Sequence, residues 1–434
     1  MSYSQRKGGH DTPNVLPTRP QAGRQNVGCV IEMMNQLKYW KALLLLCGTL
    51  VLISCSSGQT GDTPAATTTA APTASAPRVG AANLPPLLMQ QAWGQVQVSQ
   101  LSLDQGDRYF VPDAQHNGLT DDDQLCGSTS STQSQPGSGL QAIASVGLLD
   151  LRTGHVTMLV TMPTGYSLIA CTVTGPWVIW SQTSGDILKN PATPWTLKAL
   201  NRRTGEVRQL DQGPLPTGQH PPVSIRPEPY ASNGRVAWTT YSATTPGATQ
   251  SEMYTFATSA KTVLADQTSG PLISWPWVSW GDGVSRAIVF ENLVTMQQVR
   301  LPMQYPPTTV AFAGTTFVYT NSDYSQVMGV PSILAQPISP SVIEDKQTDG
   351  SDFEEFPTLN ARLIAWVAPN GWLVFDRKLQ RPVKIPLGVH GFEGFVCGHY
   401  LVASPPLTDA DAQAQHQGLP YHHVMQVIDT NTLP

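Results

Sequence analysis

Charge is what this sequence has least of: Asp, Glu, Lys and Arg together make up 13% of its 434 residues, while Gly (36) and Pro (37) are plentiful. Long helices draw heavily on Glu, Lys and Arg, so their shortage beside so many turn formers argues for an all-β chain. Several chemistries lack their minimum residue sets. There is no Gly-x-Ser-x-Gly elbow, no His-Glu-x-x-His, no Cys-x-x-Cys and no Gly-rich phosphate loop ending in Lys. No catalytic residue, metal site or cofactor is therefore expected. The formal net charge is -5; without residues 1–54, which hold six Lys/Arg and two Asp/Glu, 19 basic residues face 28 acidic ones, a balance of -9. Such a chain is repelled by phosphate backbones, and nucleic acid is not an expected partner.

Nor is there an apolar run of the roughly 20 residues that a spanning helix needs. The longest run, Ala42 to Ile53, follows a short basic region containing Lys38 and Lys41, which is the layout of an export signal. It ends Leu52-Ile53-Ser54-Cys55. This resembles a bacterial lipobox, with an aliphatic residue three before the cysteine and a small one just before it. The resemblance implies cleavage before Cys55, a diacylglycerol thioether on its sulfur, and a chain held at a plasma or outer membrane and facing away from the cytoplasm. Residues 1–32 are polar and aperiodic, either upstream of the true start or a long leader, and 33–54 form the signal segment. Residues 55–86, rich in Thr, Ala and Pro, bury too little apolar surface to offset chain entropy and read as a disordered tether. The folded domain is expected over 87–434.

Within that domain one unit recurs. In Leu168 to Leu210 an apolar run meets a Thr-Gly turn and a second apolar run ending in Trp180. Two further strands are joined at Arg203-Thr204-Gly205. That is a four-stranded antiparallel meander, which buries its faces only by stacking against copies of itself. Runs similar to Trp177–Trp180 start at Arg108, Arg235, Trp277, Thr316, Leu363 and Tyr400, making seven. After a first interval of 69 residues, successive runs start about 40 to 60 residues apart, a blade-like period. We read them as inner strands of a β-propeller of seven blades with four antiparallel strands each, or six blades if the Arg108 run is not equivalent to the rest. The layout over roughly 90–434 resembles the bacterial TolB-like and Trp-Asp-repeat-like propellers, without their Gly-His and Trp-Asp pair in each repeat. Two packed sandwiches would not predict such regular copies. The last strand, Val424 to Asp429, has no partner after it, so Leu87 to Val98 is expected to complete the last blade and close the ring.

Asp150, Asn201, Asn292, Asp376 and Asp429 recur at strand ends before turns, where a short polar side chain caps its own backbone. Asp121-Asp122-Asp123 and the Asp349 to Glu355 stretch, which includes Asp352 and Glu354, fall in apparent long loops. Oxygen ligands there could gather calcium or flank a glycosidic bond, but the spacing fits solvated turns better. His416, His422 and His423 read as surface histidines. Trp177, Trp180, Trp238, Trp277, Trp280 and Trp366 read as blade packing, leaving Trp93 and Trp195 as the aromatics eligible to stack on a sugar. Among Cys126, Cys171 and Cys397 one pair can oxidise outside the cytoplasm, with connectivity open. The expected function is a binding or scaffolding module for a protein or glycan at the cell envelope. The alternative is an extracytoplasmic carbohydrate-active or other hydrolase, with its acids in Pro112–Gly139, Ile338–Phe356 and Pro405–Tyr421.

Overall fold

A computed structural model describes residues 85–434 except 107, 114–122, 132–144, 186, 188–189, 191–192, 214–224, 304–308, 322–325, 336–337, 339, 346–356, 369–370, 386–393, 404–412 and 415–422. The strands form seven sheets, each built on a four-stranded antiparallel meander, which is a seven-bladed β-propeller. Blade 1 comprises Arg108–Pro112, Gln124–Ser131, Ser145–Asp150 and Val156–Thr161. Blade 2 runs from Ser167–Thr174 to Val207–Gly213, blade 3 from Tyr230–Ser232 to Ala260–Asp266, and blade 4 from Thr268–Ser274 to Gln298–Pro302. Blade 5 runs from Thr309–Ala313 to Ser341–Asp345 and blade 6 from Thr358–Leu359 to Arg381–Ile385. Blade 7 takes Gly394–Cys397, Tyr400–Ala403 and Val424–Asp429 from the C-terminal end of the chain.

The fourth strand of blade 7 comes from the other end. Ser99–Ser102 pairs antiparallel with Val424–Asp429, Ser99 opposite Val427 and Ser102 opposite Val424. The ring is closed by the N-terminal segment as expected, but by a stretch just beyond Leu87–Val98. Ser-Gln-Leu-Ser carries one apolar residue, and Leu101 alone points into the core, between blades 7 and 1. Leu87–Leu88 instead lies parallel to Arg381–Ile385 on the outer edge of blade 6. A short helix, Met89–Trp93, follows and buries Trp93.

A second correction concerns the recurring runs. Six of the seven are the second strand of their blade, one step out from the axis; the Arg108 run is the first. First strands of blades 2 to 7 contact one another in succession around the ring, which identifies the innermost layer. The second strand of blade 1 is Gln124–Ser131, whose Ser and Thr residues conceal it despite a buried Leu125, Cys126 and Thr129. Seven blades result all the same.

Blades are held together by apolar side chains and by a repeated polar latch. Phe290, Phe312 and Phe317 meet at centroid distances of 5.1–6.5 Å between blades 4 and 5. Trp180, Trp238 and Trp366 are fully buried, and Trp177, Trp277 and Trp280 nearly so, as blade-packing residues. Their polar edges are satisfied where shown: Trp180 Nε1 donates to Gln182 Oε1 (2.9 Å) and Trp238 Nε1 to Asp211 Oδ2 (2.9 Å) on the preceding blade. Thr174, Ser232 and Ser274 each end an innermost strand. Their hydroxyls accept from Gly234 N (2.9 Å), Trp275 N (3.1 Å) and Gly314 N (2.8 Å) in the first turn of the next blade. A disulfide, Cys126–Cys171, joins the second strand of blade 1 to the first strand of blade 2, and Cys397 is buried and reduced.

Two outcomes follow for stability. Leu101→Ala removes the one core anchor of the closing strand and should cost about 2–3 kcal/mol in urea unfolding. Opening the Cys126–Cys171 link by Cys126→Ser with Cys171→Ser should cost about 2–4 kcal/mol, since the bond closes a loop of 45 residues in the unfolded chain. If neither change moves the unfolding midpoint, the seam and the cross-link are not where the ring draws its stability.

Candidate functional site

Antiparallel alternation gives the propeller two different faces. On one, the first and second strands of blades 2 to 7 are joined by two or three residues, as at Gly175–Pro176, Asn233–Gly234 and Gly398–His399. Most third and fourth strands meet there in short turns of four or five residues. Asp150 Oδ1 accepts from Arg152 N and Thr153 N, and Asn201, Asn292 and Asp376 cap their turns the same way. Four residues later the backbone turns left-handed, at Gly154 (φ 73°) and Gly205 (φ 75°), and at Met296 and Gln380 where no Gly is present. The recurring Asp and Asn are therefore turn-capping residues, as the sequence suggests.

The opposite face receives the long connections: those between Ser131 and Ser145, Thr183 and Trp195, Gly213 and Tyr230, Asp345 and Thr358, Ile385 and Gly394, and Ala403 and Val424. Two of its carboxylates, Asp266 and Asp282, are engaged by their own turns. Asp266 Oδ2 accepts from Thr244 Oγ1 and Thr245 Oγ1, both at 2.7 Å, and Oδ1 from Gln267 N. Hydroxyls of Ser242, Thr245 and Thr244 hold this carboxyl well below the usual range. Asp282 caps Val284 N and Ser285 N and accepts from Ser285 Oγ at 2.6 Å.

Between blades 2 and 3 lies a more buried group. Lys261 Nζ bridges Glu252 Oε2 (2.7 Å) and Asp211 Oδ1 (3.2 Å), and Gln250 Nε2 donates to Glu252 Oε1. Burial pushes the Glu252 carboxyl up despite the lysine. Its members lie on the third and fourth strands of blade 3 and the fourth strand of blade 2, so it ties the two blades together.

At the junction of blades 7 and 1 sits a feature the sequence reading missed. His423 Nδ1 lies 2.9 Å from Asp104 Oδ1, and its ring stacks on Tyr109 at 3.5 Å, 4° from parallel. His423 O also accepts from Leu103 N at 2.8 Å. The side chain is only 10% exposed, so His423 is a seam residue and not the surface histidine expected. A separation of 319 residues hid the pair.

The remaining expected positions divide clearly. Cys55, Asp121, Asp122, Asp349 to Glu355, His416 and His422 lie outside the described residues. Asp123 faces the tight-turn side, where its carbonyl accepts from Leu151 N and its carboxylate from His399 N. Pro112–Gly139 is not one loop, since it contains the strand Gln124–Ser131 and spans both faces, and Ile338–Phe356 contains Ser341–Asp345. Trp93 and Trp195 are 3% and 1% exposed, so neither offers a stacking surface. Trp195 packs on Gly213, where any Cβ would overlap its ring. Among the described residues no three His, Cys, Asp or Glu gather closely enough to hold a metal ion.

Trp93 belongs to a clasp at the chain ends. Its Nε1 donates to Asp376 Oδ2 (2.8 Å), and Arg362 donates to the same oxygen (3.1 Å), to Leu433 O (2.7 Å) and to Pro434 O (2.7 Å). Burial raises the Asp376 carboxyl, but Trp93, Arg362 and two backbone N–H groups outweigh it and hold it below the ordinary range. Its stabilisation is thus present above an unfolded pKa of about 3.9 and is lost as pH falls through the lower folded value. Asp376→Asn should cost about 3 kcal/mol at pH 7. That difference should shrink below about pH 4, as read by denaturant midpoints across pH.

No protein-family profile matches the chain, and no curated protein does. Solved structures are similar to it at low identity. An oligogalacturonate lyase in complex with manganese is 10% identical, with 79% of this chain and 94% of that one covered at a TM-score of 0.44. The RRP9 WD40 repeats are 10% identical, covering 77% and 99% at 0.44. BamB from Moraxella catarrhalis is 12% identical, covering 70% and 78% at 0.36.

Proposed function

We propose that the chain is a lipid-anchored cell-envelope β-propeller that binds or scaffolds a protein or glycan partner through the face carrying its long connections. The observation that carries this reading is the asymmetry of the two faces. The strand ends from which most of the long connections depart share one face, and a rigid scaffold presenting variable loops is the usual physical basis of recognition. Asp266 and Asp282 on that face are spent on their own turns, which leaves them poorly suited to acid and base roles. The Cys126–Cys171 bond supports residence in an oxidising compartment outside the cytoplasm. Leu52-Ile53-Ser54-Cys55 after a basic and apolar leader supports lipid on Cys55 and a mature chain of tether and propeller.

Two measurements test it. Mass spectrometry of the membrane fraction of the native host should find the mature N-terminal peptide beginning at lipid-bearing Cys55; an unmodified peptide spanning Ser54 and Cys55 would refute the anchor. The full-length protein used as bait on solubilised membranes should retain a partner that a variant with residues 404–422 replaced by a short turn loses. The competing hydrolase reading gains instead if the protein turns over a glycan or peptide library and Asp352→Ala or Glu354→Ala abolishes the turnover.

A further inference from the structure

The tight-turn face has a use of its own across blades 4 to 6. Val294 and Met296 in the outer turn of blade 4 are 64% and 67% exposed, Leu334 in that of blade 5 is 46% exposed, and Leu379 in that of blade 6 is 36% exposed. Four large apolar side chains therefore stand at the tips of three consecutive turns. The exposed part of each is apolar surface left in water, which is unfavourable. The charge pattern of this sector is equally one-sided. The outer turns 293–297, 331–340 and 377–380 contain no Asp or Glu, although the chain as a whole is acidic. The carboxylate that starts the blade 6 turn, Asp376, has no exposed surface. Lys378 is exposed beside Leu379.

The place where the chain enters the propeller says what covers this sector. Leu87–Leu88 runs parallel to Arg381–Ile385, so its N-terminal end lies where that strand starts, beside the blade 6 turn. There Arg381 donates to Pro85 O at 3.0 Å. The segment leading back to Cys55 thus leaves the ring at the same corner from which Leu379 and Lys378 project. A tether attached at that corner raises the effective concentration of whatever it is anchored to at this face above all others. Apolar tips without carboxylates, accompanied by a cation, match an anionic bilayer surface, which accepts shallow apolar insertion and attracts Lys.

We infer that the tight-turn face of blades 4 to 6 rests on the membrane, directing the face with the long connections away from the lipid. This rests on the proposed anchoring at Cys55, and the test separates the two. An environment-sensitive dye is placed on Thr295→Cys among the apolar tips or on Val284→Cys, which is 72% exposed as Val284 in the opposite-face turn of blade 4. The lipidated protein is then reconstituted in phosphatidylglycerol vesicles. The expected result is a blue shift for the dye at position 295 only, lost when Val294, Met296, Leu334 and Leu379 are all changed to Ser. The chain from Ser56 onward, which keeps every strand of the ring, is titrated with the same vesicles. It should show the same shift at about 100-fold more lipid, as expected for losing the tether. If native protein carries no lipid on Cys55, the anchor is refuted while this titration still decides the face. Equal spectra at positions 295 and 284 in both preparations would overturn the inference, as would a shift at 295 produced by a copurifying protein in the absence of vesicles.

Discussion

The pairing of Ser99–Ser102 with Val424–Asp429 is the constraint on which the rest of the structure depends. Every other blade core is assembled from strands consecutive in sequence, which could stack as an open arc with an exposed edge at each end. This one pairing joins residues more than 300 apart and makes the arc a ring. Its backbone ladder is short, and the chain reinforces it on both sides. Leu101 fills the gap between blades 7 and 1, and His423 is held by Asp104 and stacked on Tyr109 at the head of the seam. Around blade 6, Trp93 and Arg362 tie both chain ends to the buried Asp376. The disulfide continues the reinforcement from blade 1 to blade 2.

Once the ring is closed, the turn chemistry decides what each face can do. Asx-type caps followed by a left-handed residue shorten the connections on one side, and the repeated hydroxyl latches at Thr174, Ser232 and Ser274 fasten that side blade to blade. Sequence freedom is displaced to the other side, where the connections lengthen. The proposed recognition by one face and the proposed attachment by the other both draw on that single asymmetry. The apolar tips in the turns of blades 4 to 6 lie near Pro85, where the described chain begins, and on the proposed anchoring they set which face meets the lipid.

Much of this was legible in the sequence because the physics is local. Trp177–Trp180 and its relatives announce buried strands, and Asp150-Leu151-Arg152-Thr153-Gly154 announces a turn, since the residues that make the turn are adjacent. What was hidden depended on distance or on polar disguise. Gln124–Ser131 reads as a loop because its buried positions include Ser128 and Thr129, whose polar side chains are accommodated by the sheet. The closing strand, Ser99–Ser102, lies just beyond the expected Leu87–Val98, because Ser-Gln-Leu-Ser has one apolar residue to announce it, while Leu87 and Leu88 pair with blade 6. The Asp104–His423 contact and the Cys126–Cys171 bond follow from which blades become neighbours, which no spacing reveals. Loop position makes Trp93 and Trp195 look like exposed platforms, but a buried carboxylate draws one indole inward and a facing glycine makes room for the other.

Native-state hydrogen exchange tests the closed ring most directly. In a ring sealed by the N-terminal strand, the amides of Leu101, Met425 and Val427 should exchange only through the same global opening that exposes Phe110 and Val178. An opening of blade 7 at markedly lower free energy, with blades 1 and 2 still protected, would contradict the account.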